Sequence, residues 1–473
     1  MKLFYKPDDG WAADFIPFFW QGEYHLFYLK DYRNREKHGE GTPWFHLGTR
    51  DMVNFTEYGE ALPRGAMDEH DLYVFTGCAL EADGLFHIFY TGHNHHLTEK
   101  GKPLQVVLHA TSSDLVTWTK DRDFIFKSDE KLHERDDWRD PFVFRNEEAG
   151  EWWMVLAARL REGPPQRRGC TALCASRDLV KWEIREPLWA PGLYYTHECP
   201  DMFRMGEWWY LLFSTFSSEM VTHYRMSRSL TGPWLSPPND SFDTRAFYAA
   251  KTASDGDRRF IFGWNPSRDG ETDTGGWQWG GNLVVHEIVQ QRDGSLAVQV
   301  PPEVDAQFER VPAMDPQPHM GTWEFDGDKV LADAWDGFAW CSLNRVPAQY
   351  RLKLDATMAQ GAHSCGVLLN ADENLERYYQ VRLEPARGRV VFDRCPRPGD
   401  QPFMLERPVA IKAGVPVEVE IFVEDSIVEA YVNGTVALSA RGYNHRGGGL
   451  AGLFVNQGKV KFSNVELALA SEG

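Results

Sequence analysis

Short apolar runs divided by turn residues make up nearly the whole chain. Five of them share one form, a turn followed by an aromatic-rich stretch: QGEYHLFYL, ADGLFHIFYT, EAGEWWMVLA, RMGEWWYLLFS and DGDRRFIFGW, beginning at Gln21, Ala82, Glu148, Arg204 and Asp255. A second form follows four of the five: TRDMVNF, SSDLVTW, SRDLVKW and SRSLTGPW. Runs this short, rich in Trp, Tyr, Phe, Val and Ile and punctuated by Gly, Asp, Asn and Pro, read as strands. Amphipathic helical stretches are scarce. A sheet-sized unit repeated at this period is the signature of a propeller, so residues 12–300 are expected to form one, with five blades. Residues 30–43 are polar and broken by Gly, which predicts a surface loop near the site. Residues 161–169 read as a hairpin tip.

The pattern changes after residue 300. Pro301 to Gly321 carries repeated Pro and few strand signals, which predicts a linker with a helical turn around Glu303 to Phe308. From Thr322 onward, segments such as SCGVLLNA, YYQVRLEPA, PVEVEIFVED and SIVEAYVNG alternate apolar and polar positions between Gly-rich turns. Six or more short antiparallel strands of this kind read as a β-sandwich. The expectation is an all-β chain: a propeller over 1–300, a linker over 301–320 and a sandwich over 321–473.

Composition narrows the function classes. The formal net charge is -19 over 473 residues, and no basic patch of the kind that binds nucleic acid stands out. The same balance argues against an anionic membrane surface, and no apolar run approaches the length of a membrane span. The 18 Trp suit stacking on the apolar C–H faces of sugar rings, although most must be core. The 7 Cys have no staple-like spacing. Cys170 and Cys174 lack the second pair a structural zinc needs and read as buried thiols in a strand. With no apolar run after the first lysines, the expectation is a cytoplasmic protein, monomeric or homodimeric, without cofactor, nucleic-acid or membrane partner.

Three carboxylates stand just upstream of strand phrases: Asp14 in GWAADFIPFFW, Asp140 in DDWRDPFVF and Glu198 in YYTHECPDMF. An Asp near a strand start is ordinarily a turn former. Three acids at equivalent positions of a repeat point instead to one site on the propeller axis. Glycosidic cleavage needs such a set, one carboxylate at the anomeric carbon and another protonating the leaving oxygen. Clustered acids raise one another's pKa, and a further carboxylate stabilises the charged transition state. Arg139, beside Asp140, would hold that acid ionised or bind hydroxyls. Periodicity alone still permits a sugar-binding propeller without catalysis.

These residues resemble glycoside hydrolase family 32, the β-fructosidases, over nearly the whole chain. The resemblance implies a five-bladed propeller followed by a β-sandwich. It implies that Asp14 is the nucleophile, that Asp140 of Arg139-Asp140-Pro141 stabilises the transition state, and that Glu198 of Glu198-Cys199-Pro200 is the acid/base. Phe75-Thr76-Gly77-Cys78, Phe247-Tyr248-Ala249, Gly263-Trp264 and Trp279-Gly280-Gly281 resemble further family segments. The expected chemistry is retaining cleavage of β-fructofuranosyl linkages in sucrose, fructo-oligosaccharides or a small phosphorylated relative. One departure is plain: the family usually has Asn before the nucleophile and Pro-Asn after it, where this chain has Ala13, Phe15 and Ile16. That leaves open a different furanoside, such as an α-L-arabinofuranoside.

Weaker signals complete the site. Phe75, Thr76, Tyr73, Tyr248 and Trp264 are candidates for the pocket wall, each with plain core packing as the alternative. Trp44 and His46 follow the polar loop and are expected to reach the leaving-group side. Asp201 is either an orienting group or a turn residue. His93, His95 and His96 invite a metal reading, but carboxylate-driven glycosyl transfer needs no metal, so none is expected.

Overall fold

The computed structural model describes residues 2–310, 314–327 and 329–470. It is all-β. The first five meanders account for residues 11–299. The first is β1 (Trp11–Trp20), β2 (Glu23–Asp31), β3 (Trp44–Thr49) and β4 (Phe55–Leu62). The second is β5 (Tyr73–Ala82), β6 (Leu85–His93), β7 (Gln105–Ser112) and β8 (Thr119–Phe126). The third is β9 (His133–Asn146), β10 (Glu151–Leu160), β11 (Gly169–Ser176) and β12 (Glu183–Trp189). The fourth has three strands, β13 (Glu198–Met205), β14 (Trp208–Thr215) and β15 (Val221–Ser227). The fifth is β16 (Tyr248–Ser254), β17 (Arg259–Arg268), β18 (Trp277–Gln290) and β19 (Leu296–Gln299).

The repeated phrases have a physical meaning here. The aromatic-rich stretches are the second strands. They are buried on both faces, as β10 and its neighbour β11 show, whereas the outer strands β4 and β8 are largely exposed. The phrase after each third strand is an Asp-capped turn. Asp51, Asp114 and Asp178 each accept two backbone N–H groups from the residues two and three places on. Such side-chain turns are what Asp does best in a loop. The fourth copy has Ser229 at this place, and its meander lacks a regular outer strand, keeping only single bridges at Leu235 and Ser241.

The first strands of the meanders touch one another in sequence: β1 with β5, β5 with β9, β9 with β13, β13 with β16, and β16 with β1. The fifth and first meanders also share one sheet through a single pairing, Ala12 with Gly281. Of the stretch 30–43, the first two residues end β2 and residues 32–43 form a loop with one helical turn, Arg35–His38, while residues 161–168 form the tip between β10 and β11.

Beyond residue 307, an eight-stranded and a seven-stranded sheet face each other. Val330, Leu352 and Ile421 of one meet Val367, Val381 and Leu453 of the other in a single core. The stretch expected as a linker contains a short helix, Pro302–Asp305, and two strands, Phe308–Arg310 and Gln317–Met320, that join the two sheets. Pro318 is accommodated because its strand is an edge. Residues 311–313 of that stretch lie outside the described residues. Among the described residues, no helix is long and apolar enough to cross a membrane.

Candidate active site

Each first strand carries one extra residue at the same level, a β-bulge. Asp14-Phe15 stand opposite Tyr28, Asp140-Pro141 opposite Leu156, Cys199-Pro200 opposite Phe213 and Ala249-Ala250 opposite Gly263, while Thr76 is inserted between paired Phe75 and Gly77. Four of the bulges put a non-Gly residue at positive φ: Asp14 at 44°, Asp140 at 57°, Cys199 at 48° and Ala249 at 50°. Such backbone strain, about 1–3 kcal/mol each, gathers at functional sites, and bulges re-aim side chains. Asp14 and Asp140 are therefore equivalent. Glu198 is not, contrary to the expectation: it stands one place earlier, in register with Ala13, Phe75, Arg139 and Tyr248.

The bulges open on a cavity of about 480 Å³. Asp14, Phe75, Thr76, Arg139, Asp140, Glu198 and Tyr248 all line it. Asp14 accepts hydrogen bonds from Thr76 Oγ1 at 2.8 Å and from Trp264 Nε1 at 2.9 Å. Asp140 accepts from the Cys199 backbone N–H at 3.0 Å and lies 3.6 Å from Arg139 Nε. Its own N–H donates to Thr91 Oγ1 at 2.7 Å. Glu198 accepts from Tyr248 OH at 2.6 Å on one oxygen and from Arg139 Nη2 at 3.2 Å on the other. Arg139 also donates to Asp137 and Thr196 at 2.8 and 3.1 Å.

The charges are strongly coupled. Burial first, then the nearby Asp140 and Glu198 carboxylates, push Asp14 up to about 7, against the hydrogen bonds from Thr76 and Trp264. Asp140 and Glu198 are also raised, chiefly by burial, with Arg139 opposing in both. Burial disfavours the Arg139 charge, but Asp140, Glu198 and Asp137 outweigh it and hold the guanidinium protonated. Environments that push neighbouring carboxyl pKa values apart are how one site assigns acid and nucleophile, and Asp14, at about 7, titrates near neutrality.

Other predicted residues lie elsewhere. Trp264 is buried and reaches the site only through its bond to Asp14. Trp44 and His46 do not line the cavity. Strand alternation along β3 turns both inward, where Trp44 meets Phe27 and Tyr90 and His46 stacks on Phe27 at 4.3 Å. Burial, then His25, pushes His46 down to about 3. Asp201 is buried and accepts from the Thr252 N–H at 2.5 Å, holding β13 to β16. Tyr73 donates to Glu40, and His93 packs on Phe75. The wall also contains Gln105, Asp137, Tyr195, Phe216, Met220 and Trp279, which no motif singled out as ligand contacts. Two of them carried a readable signal: Asp137 stands two residues before Arg139, and Trp279 opens the Trp279-Gly280-Gly281 segment. The Cys170 thiol is buried in β11 and pushed up by burial to about 12.

The model of the glycosyl hydrolases family 32 N-terminal domain matches residues 4–301, and that of the family 32 C-terminal domain matches residues 341–468. A raffinose invertase of Escherichia coli is 27% identical over 462 residues, covering 92% of this chain and 88% of the relative. A sucrose-6-phosphate hydrolase of Escherichia coli is 25% identical, covering 92% and 88%. Among solved structures, a GH32 beta-fructofuranosidase of Bombyx mori superposes with a TM-score of 0.72 at 19% identity, over 99% of this chain and 93% of that one. Fructan 1-exohydrolase IIa of Cichorium intybus gives 0.73 at 18% identity, over 99% and 97%. With both domain models matched along its length and the carboxylates gathered at one cavity, the chain belongs to glycosyl hydrolase family 32.

Proposed function

We propose that the protein is a retaining β-fructofuranosidase acting on sucrose or fructo-oligosaccharides. Its meanders are the five blades of a propeller over residues 1–300, and the later sheets form a sandwich from residue 321. The observation that carries the reading is the convergence of Asp14, Asp140 and Glu198 on one cavity with raised carboxyl pKa values. Asp14 attacks the anomeric carbon of the fructosyl unit. Glu198, whose pKa burial raises against Arg139 and Tyr248, gives its proton to the leaving oxygen as general acid and then takes a proton from the incoming water. Asp140, backed by Arg139 and the Cys199 N–H, stabilises the oxocarbenium-like charge that develops in the transition state of each step, on either side of the covalent fructosyl-Asp14 intermediate. Retention requires Asp14 and Glu198 to work about 5–5.5 Å apart across the sugar.

The cavity also speaks to substrate charge. Its wall holds four carboxylates, Asp14, Asp137, Asp140 and Glu198, and one guanidinium, Arg139, already paired with three of them. A phosphate, at about -1.5 to -2 charge, meets repulsion there. This favours a neutral sugar, with the phosphorylated sugar for which several sucrose-6-phosphate hydrolase relatives are named as the alternative.

A second reading rests on Ala13. It occupies the register position that Phe75, Arg139, Glu198 and Tyr248 fill in the other four first strands, and its methyl group offers no hydrogen bond where the family has Asn. A different furanoside, such as an α-L-arabinofuranoside, fits a pocket with one fewer sugar contact.

One panel separates these readings. Sucrose, sucrose 6-phosphate, 1-kestose, an aryl β-D-fructofuranoside and an aryl α-L-arabinofuranoside are incubated with wild type, Asp14→Ala and Glu198→Gln. Fructose released by wild type, with kcat/KM higher on sucrose than on its phosphate, supports the main reading. Glu198→Gln is expected to lose about 10²–10⁴-fold on sucrose and less on an aryl fructoside, whose leaving group needs little protonation. Release of arabinose alone favours the second reading. Methanolysis giving the methyl α-fructofuranoside would sink the retaining mechanism.

A further inference from the structure

We propose that Glu40, His95 and His96 form a binding site for one divalent transition-metal ion of the zinc type at the rim of the cavity. The site is separate from the catalytic carboxylates and has no part in the bond cleavage.

The donors already converge. Nε2 of His95 lies 3.4 Å from Glu40 Oε1, and Nε2 of His96 lies 3.1 Å from Glu40 Oε2. One ligand atom from each of the three residues lies within 4.8 Å of the others. A tetrahedral zinc ion with bonds of about 2.0–2.2 Å sets its donors roughly 3.3 Å apart, and each imidazole already stands at about that distance from one of the two Glu40 oxygens. Two imidazoles and one carboxylate are a donor set that zinc accepts with its fourth position left open. Both Nε2 atoms face one carboxylate, so a cation there replaces two N–H protons at a point the side chains already surround.

Both halves of the site are fixed in place. Gly39 and Gly41 flank Glu40 at φ of 76° and 106°, bending the chain on either side of it. Arg64 donates to the carbonyls of His38 and Glu40. The Glu40 carboxylate is oriented by Tyr73 OH at 2.8 Å, the kind of outer hydrogen bond that metal ligands carry. On the other side, buried Asn94 accepts from the His96 N–H and donates to the carbonyls of Met67 and Glu69, holding the turn that presents both imidazoles. Glu40, His95 and His96 are 24%, 49% and 38% exposed at their side chains, which gives the ion an entry path.

The site lies beside the cavity. Tyr73 packs on Phe75 at 5.7 Å, and Phe75 is a wall residue. A bound ion ties the polar loop of residues 32–43, on the first meander, to the turn of residues 95–100, on the second. It acts as a clamp on the rim.

The test uses tag-free full-length protein stripped with EDTA. Calorimetric titration with Zn2+ is expected to saturate at one ion per chain and to raise the melting temperature. Substitution by Co2+ is expected to give the intense visible bands of a low-coordinate site. His95→Ala and His96→Ala each weaken binding roughly tenfold or more, and Tyr73→Phe weakens it by about 10–100-fold through the lost outer hydrogen bond. The double variant H95A/H96A and, independently, Glu40→Gln abolish the cobalt bands, while melting in EDTA shows that each variant is folded. Absence of stoichiometric binding in wild type overturns the proposal. So does binding that persists unchanged in either H95A/H96A or Glu40→Gln.

Discussion

Thr76 sets the charge state on which Asp14 depends. Its hydroxyl donates to Asp14 and stabilises the ionised carboxylate, opposing burial and the two neighbouring acids. Thr76→Val keeps the shape and removes the donor, so Asp14 moves above its value of about 7. Hydrogen bonds to charged groups contribute about 1.5–3 kcal/mol, and 1.4 kcal/mol is about tenfold in rate. The expected result is a fall of about tenfold or more in kcat/KM at neutral pH, with the acidic limb of its pH profile displaced to higher pH. A profile with an unmoved limb would show that Asp14 does not carry that ionisation. The same residue makes a stability prediction of definite sign. Because the fold raises Asp14 above its ordinary 3.8 to about 7, its contribution to stability is complete below pH about 4 and is lost as pH rises through about 7. Asp14→Asn is neutral throughout. It is expected to melt above wild type at pH about 8, with the gap closing as the pH is lowered toward about 4, as scanning calorimetry will show.

The strand is the scale at which the site is built, and Gly281 is where that construction is most exposed to test. It pairs with Ala12, the single pairing that joins the fifth meander to the first. A Cβ on Gly281 would stand 1.7 Å from the Asn265 carbonyl oxygen, a backbone atom with no freedom to swing away. Gly281→Ala therefore separates β18 from either β17 or β1, and β1 carries Asp14. Overpacking of this kind costs about 1–3 kcal/mol. A lower urea midpoint together with a loss of kcat is expected, whereas a lower midpoint with unchanged kcat would show that the joint does not position Asp14. The same scale explains what the sequence made legible. The second strands announced themselves because they are buried on both faces and so carry dense aromatic runs, and the Asp-capped turns repeated with them. The acids were legible through their motifs, but the one-residue offset of Glu198 was not, since a bulge is a backbone event with no composition of its own. Trp44 and His46 were misplaced for a related reason: proximity to a polar loop says nothing about which face of β3 a side chain takes. Gln105, Tyr195, Phe216 and Met220 come to the wall from three different meanders and their loops, so only the assembled fold gathers them.

At the scale of the whole molecule, the two halves are joined by buried charge as well as by apolar packing. Phe203, Tyr210, Phe247 and Ile261 share a core with Phe422, Ile427 and Tyr431. Through it runs a polar chain. Asp243 lies 2.9 Å from His286 Nε2 and accepts from the Ser439 N–H and hydroxyl at 2.7 and 2.6 Å. His286 Nδ1 meets Tyr431 OH at 2.8 Å and lies 3.3 Å from Glu429. Burial opposes the Asp243 charge, but His286 and Ser439 win and its pKa is lowered, so its stabilisation is present above the ordinary value of 3.8 and is lost as pH falls through the lowered one. Burial pushes Glu429 up to about 7, so its contribution is complete below the ordinary 4.5 and is lost as pH rises through about 7. The two slopes meet, so the joint contributes most near pH about 4, between the ordinary values of 3.8 and 4.5, and weakens as pH rises toward about 7. Asp243→Ala leaves the Ser439 N–H and His286 buried without their acceptor, and each buried donor left unsatisfied costs about 1–3 kcal/mol. Asp243→Asn retains an oxygen for Ser439 and is expected to lose less. Because Asp243 is outside the cavity wall, both variants keep wild-type kcat on the best substrate while still folded. Urea titration paired with initial rates decides the matter: a loss of kcat in the folded variants would mean that the joint, and not the propeller half alone, holds the carboxylates in their working geometry.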